Sequence, residues 1–138
     1  MKTIIFTVMM KAQPQGSMKA FVVGGRAILT SDNAKMKPFR AEVKRMALAS
    51  ITGEAPVFAS QVPVRLVIRF QFVRPASAKK RPYPSVKPDI DKLQRAVLDA
   101  LTGVIYKDDS QVVEVTARKS YGLENKTTIL IEGFDHAT

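Results

Sequence analysis

The chain has 138 residues, 46% hydrophobic and 25% charged, a composition that suits one folded domain with a real core. It has no cysteine and a single histidine, His136, which excludes disulfides, thiolate zinc sites, cysteine nucleophiles and histidine triads; any metal must be held by oxygen, the preference of hard cations. Twenty-two Lys and Arg against twelve Asp and Glu give a net charge of +10, which points to a polyanionic partner, nucleic acid first, or to a merely solvated basic surface.

The opening MKTIIFTVMM is too short an apolar run to span a membrane, and no small-x-small cleavage pattern follows it. A first strand is expected there, in a protein that stays in the cytoplasm without membrane association. Phe21-Val22-Val23 and Ala27-Ile28-Leu29, separated by Gly24-Gly25-Arg26, read as a hairpin, and Ser31-Asp32-Asn33 punctuates the chain. A helix is expected to start near Pro38 and end at Gly53, with Phe39, Val43, Met46, Ala47 and Ser50 at helical spacing. Residues 62–73 (VPVRLVIRFQFV) alternate at period two, placing Val64, Leu66, Ile68, Phe70 and Phe72 on one face and Arg65, Arg69 and Gln71 on the other.

Residues 74–88 (RPASAKKRPYPSVKP) carry four prolines and five basic residues with no acid, so they form a stiffened, exposed loop. A second helix runs from about Asp91 to Leu101 with Leu93, Ala96, Val97, Ala100 and Leu101 as its buried stripe, and Gly103 ends it. Tyr106 to Ser110 make a polar turn. Two strands, about 112–120 and 127–131, close the chain, with Gly122 to Asn125 as their turn. The expected architecture is a single α+β domain spanning 1–138: a mixed or antiparallel sheet with two main helices on one face.

Asp89-Ile90-Asp91 follows the basic loop. In an extended segment residues i and i+2 point to one side, so the two carboxylates can converge. Asp108 and Asp109 return one helix and one turn later. The plain alternative is that Asp89 or Asp91 caps the helix and that Asp108-Asp109 is an ordinary turn. Against this, one cap needs one carboxylate, and the acids directly follow the most basic stretch of a basic protein. A divalent cation would reconcile carboxylates with phosphates, and Arg95, one helical turn after Asp91, adds a fixed cation.

The stretch from Lys87 to Gly122, KPDIDKLQRAVLDALTGVIYKDDSQVVEVTARKSYG, resembles the RusA family of Holliday junction resolvases, with its P-D-x-D-N-L-x-K-A-x-x-D-A-L-x-G, a short spacer, then D-D-x-Q-V. The resemblance implies that Asp89, Asp91 and Asp109 are catalytic acids binding Mg²⁺, or Mn²⁺, in a homodimer that nicks two strands of a four-way junction. The family lysine falls on Arg95, which keeps the charge but does not give up a proton. The family asparagine falls on Lys92, which is left to contact a phosphate or to pair with Asp108.

Lys79, Lys80, Arg81 and Lys87, with Tyr83, form a candidate DNA-contacting loop, and Lys119 and Arg118 are further candidates. Glu114 is either an additional ligand or an exposed strand residue, and Asp99 is expected in a helix-surface salt bridge. The functional expectation is a Mg²⁺-dependent endonuclease acting on branched DNA, with no small-molecule cofactor. The alternatives are a non-catalytic DNA-binding protein of the same fold, or a nuclease for flap or linear DNA.

Overall fold

A computed structural model of the chain describes residues 2–16, 18–31 and 34–134; His136, Asp32 and Asn33 lie outside them. The elements in order are β1 (Thr3–Val8), β2 (Met18–Val23), β3 (Arg26–Ser31), α1 (Met36–Ser50), β4 (Val64–Val73), α2 (Ile90–Leu101), β5 (Val112–Gly122) and β6 (Lys126–Gly133). Single 3-10 turns occur at Ala76–Ala78 and Asp109–Gln111. This is the single-domain α+β architecture with two helices and a mixed sheet that the periodicities predict. Among the described residues no helix is long and apolar enough to cross a membrane.

The sheet is organised around β4. Its period-two alternation buries Val64, Leu66, Ile68 and Phe70 completely, and Phe72 nearly so, under the two helices. Such a strand needs a partner on both edges. β6 pairs with it antiparallel on one side and β5 pairs parallel on the other, giving the order β1-β6-β4-β5. β2 and β3 form a separate hairpin whose turn, Gly24-Gly25, has φ of +58° and +79°, values that residues with a Cβ resist.

α1 packs against α2 and β1 through Met36, Phe39, Val43 and Ala47. It starts ahead of Pro38, which therefore sits in the first turn, where its missing N–H is harmless. It stops at Ser50, before Gly53. α2 buries the five stripe residues, Leu93, Ala96, Val97, Ala100 and Leu101.

β5 and β6 follow one another through a short turn but are not neighbours, because β4 is inserted between them. The physical reason is that β4 is buried on one face and leaves no unpaired edge, so the last two strands close onto opposite sides of it. α2 also begins at Ile90, one residue sooner than expected, so the backbone is extended at Asp89 (φ −70°, ψ 137°) and already helical at Asp91. The same-side argument for residues i and i+2 thus stops at Asp89.

The turn carrying Asp108 and Asp109 is held by Gln111, a buried polar residue at 5% exposure. Its Oε1 accepts from the N–H groups of Lys107 (2.9 Å) and Asp108 (3.1 Å), and its Nε2 donates to the carbonyls of Ala59 (2.9 Å) and Val62 (3.0 Å). Asp108 accepts from the N–H of Ser110 at 2.9 Å, completing a reciprocal capping box. All four Gln111 bonds vanish in Gln111→Ala. That variant is expected to lose about 2 kcal/mol of stability in a urea titration, since buried backbone groups are left without partners.

Candidate active site

Asp89 is the N-cap residue of α2 in backbone position only: its side chain makes no capping hydrogen bond. The ordinary structural use of an Asp at a helix start is therefore absent here. Its nearest cation is Lys92, Nζ to Oδ2 4.0 Å, so Lys92 faces Asp89 and not Asp108. The pair is exposed and adds little to stability. Asp91 lies in the first helical turn, where the helix dipole favours a carboxylate. Arg95, one turn on, is exposed and makes no ion pair with the described residues.

The basic loop lies against this helix start, and two cations hold it there. Lys119, on the helix-facing side of β5, donates from Nζ to the carbonyls of Val86 (2.8 Å) and Pro88 (2.9 Å), one residue before Asp89. Arg81 donates from Nε to the Tyr121 hydroxyl at 2.9 Å, and its guanidinium lies 5.9 Å from the ring centre, with that of Arg74 at 5.1 Å. Two of the expected DNA contacts thus have structural tasks, while Lys79, Lys80 and Lys87 are exposed. From the other side, the N–H of Gln15 donates to the Lys92 carbonyl at 2.9 Å, which docks the 11–16 segment on the first turn of α2. Gln15 Oε1 is buried there without a hydrogen-bond partner.

The second acidic group sits elsewhere. Burial raises the Asp109 carboxyl above its ordinary range, and Asp108 and then Asp99 push it further. Asp99 also bridges to Arg40 of α1 at 3.9 Å, an inter-helix pair and not one along a single helix surface. Asp108 is held below the usual carboxylate range by the Ser110 N–H. Tyr106, whose hydroxyl donates to the Leu98 carbonyl at 2.7 Å, is shifted up by burial and by Asp109 and Asp99. Asp109 is therefore tied to the second half of α2, whereas Asp89 and Asp91 occupy the start of a helix about 18 Å long.

The fit of this donor set to a cation is partial. Uncapped Asp89, Asp91 and the orphaned amide oxygen of Gln15 are hard oxygen donors of the type Mg²⁺ takes. Yet among the described residues no group of three acids or histidines is arranged to hold a metal. The chain places Asp89 and Asp91 at the start of α2, with Arg95 one turn on, and, separately, Asp108 and Asp109 at the turn after it. Sequence reasoning gave no role to Gln111 or Gln15. The glutamine of D-D-x-Q-V was legible as a pattern, but its two carbonyl partners on the 59–62 segment are visible only in the fold.

The raised Asp109 carboxyl has a consequence for stability. A group whose folded pKa lies above its unfolded value stabilises the fold only at low pH, and that contribution is lost as pH rises through the folded value. Asp109→Asn removes the ionisation. Its melting temperature is expected to exceed that of the parent at pH 7 and the difference to disappear near pH 3, as read by thermal denaturation at both values.

The family described as "Endodeoxyribonuclease RusA" matches residues 9–132. The chain is also similar to "Uncharacterized protein YqaN" of Bacillus subtilis (strain 168), 31% identical over 142 residues that cover 95% of this chain and 96% of that protein. The match spans the docked segment around Gln15, both acidic groups, the basic loop and every strand from β2 to β5, and the chain belongs to the RusA endodeoxyribonuclease family.

Proposed function

We propose that the protein is a divalent-metal-dependent endonuclease that resolves four-way DNA junctions as a homodimer, with Asp89, Asp91 and Asp109 as its metal-binding acids and Mg²⁺ or Mn²⁺ as the cation. One observation carries the reading: Asp89, without a side-chain capping bond, and Asp91 stand at the start of α2, one turn before an Arg95 that makes no ion pair with the described residues, and directly after a basic loop without a single acid. Bare carboxylates among cations repel a phosphodiester and attract a metal, and the metal reconciles the two.

When bound, a divalent cation supplies an acidified water and neutralises phosphate charge. The side chains provide the rest. Lys79, Lys80 and Lys87 position the phosphate backbone, a contact that reads no sequence. Lys119 and Arg81 fix the loop that presents them. Arg95 stays charged throughout, so it stabilises negative charge on the phosphoryl oxygens and transfers no proton. Lys92 tempers Asp89. Because no three acids among the described residues of one chain are grouped to hold a metal, Asp109 joins Asp89 and Asp91 in the assembled dimer, from the partner copy. A two-fold dimer also supplies the two equivalent sites that paired nicks require.

A second reading, a DNA-binding protein without catalysis, is favoured by that same lack of a ready three-acid group among the described residues. The discriminating assay incubates the protein with labelled four-way junction, flap and linear duplex, with Mg²⁺ or with chelator. Cleavage of the junction by metal-loaded protein is expected, and it falls at least about 100-fold in Asp91→Asn, since losing a ligand exceeds the usual effect of losing its outer partners. Arg95→Lys is expected to keep or raise the rate. Binding without cleavage under either metal overturns the catalytic reading. Mixing Asp91→Asn with Asp109→Asn tests the shared site: heterodimers then hold one intact site and nick one strand, whereas no recovery of nicking assigns Asp109 to its own chain.

A further inference from the structure

We propose that the sheet face turned away from α1 and α2 is a second phosphate-binding surface, built by Arg69, Arg118 and Lys126, that takes the sugar–phosphate backbone of a DNA arm. It rests on the reading of the chain as a DNA-acting protein, but it uses none of the residues assigned to cleavage. The three cations come from adjacent strands. Arg69 of β4 lies directly across from Arg118 of β5 and from Thr128 of β6, and Gln71, two residues along β4, lies across from Ser120 and Lys126. Together these six side chains line a concavity of about 280 Å³ with no carboxylate in it.

The absence of an acid is specific to this end of the sheet. Four residues earlier on the same face of β4, Arg65 lies between Glu114 (Nε to Oε2 2.6 Å) and Glu132, so its charge is spent within the protein. Arg69, Arg118 and Lys126 make no ion pair with the described residues. Like charges directly opposite one another in a sheet are destabilising, and an Arg facing an Arg without relief is an unfavourable pair that a bound anion would turn favourable. Across strands the spacing is about 4.8 Å, and along a strand alternate side chains repeat at about 6.7 Å. The cations therefore spread over an area that suits several phosphates of a backbone more than one small anion. Ser120 and Thr128 add neutral donors, while Gln71 is held to the Glu124 carbonyl at 2.8 Å and leaves the cations unobstructed.

The test measures binding of a four-way junction and of linear duplex in chelator, where no cutting occurs, as a function of salt. It compares the parent with Arg118→Gln/Lys126→Gln, with charge-keeping Arg118→Lys/Lys126→Arg, and with Lys37→Gln/Lys44→Gln on α1, which removes the same charge elsewhere. The Gln pair on the sheet is expected to reduce the slope of log affinity against log salt by about 2 and to weaken binding roughly tenfold near 0.1 M salt. The charge-keeping pair is expected to retain the parental slope, and the α1 pair to lose far less. Equal losses on the sheet and on α1, or equal losses in the Gln and charge-keeping pairs, overturn the proposal. So does an unchanged slope, including one accompanied by a change in sedimentation mass, which would make this face a contact between subunits. Junction cleavage in Mg²⁺, measured in parallel on the parent, separates the two ideas. A slope change in a protein that never cleaves sinks the catalytic reading and leaves this surface standing; cleavage with an unchanged slope does the reverse.

Discussion

Parallel strands cannot be joined by a hairpin; the chain has to leave one end of the first, cross over, and return to the other end. β4 and β5 are the one parallel pair in the sheet, and everything between them is that crossover. Residues 74–111 contain the basic loop, α2 with Asp89, Asp91 and Arg95, and the turn with Asp108 and Asp109. The candidate chemistry thus sits in the long connection that sheet pairing makes unavoidable. It lies on the helix side because α2 must bury Leu93, Val97 and Leu101 against the same face that β4 presents with Leu66, Ile68 and Phe70.

Charge is distributed by the same alternation. On the helix-facing side of β5, Lys119 spends its charge on two loop carbonyls and Tyr121 receives Arg81, so strand side chains act as the seat of the loop. On the opposite side the strands present Arg65, already neutralised by two glutamates, and Arg69, Arg118 and Lys126, which are not. A net charge of +10 is a property of composition. Which cations remain available to a partner is decided by where carboxylates and carbonyls come to lie, and the two sides of one sheet differ sharply in that respect.

The acids follow a related logic. Asp108 and Asp109 are neighbours with opposite shifts: one accepts a backbone N–H in a cap and is stabilised as an anion, the other is partly desolvated beside two further carboxylates. An ionised carboxylate held under repulsion is a poor structural element and a good cation ligand. Asp89, at the other end of α2, makes no capping hydrogen bond and faces Lys92. Among the described residues the two acidic groups do not come together into one set of three acids arranged to hold a metal.

The amino-acid sequence by itself determined the elements and their buried faces. Alternation in residues 62–73, the stripe through Leu93, Val97 and Leu101, and the proline density of residues 74–88 are local signals, and local sterics and hydration decide them. The acidic patterns around Asp89 and Asp109 were legible for the same reason, as short strings with fixed spacing. Only the tertiary structure decided that β4 separates β5 from β6, that Gln111 ties the Asp108 turn to residues 59–62, that Lys92 faces Asp89, and that Asp109 lies within reach of the Asp99 charge. Those are pairings between residues far apart along the chain or across a turn, fixed by which edges and faces remain open once the core has closed, and no local pattern encodes that choice.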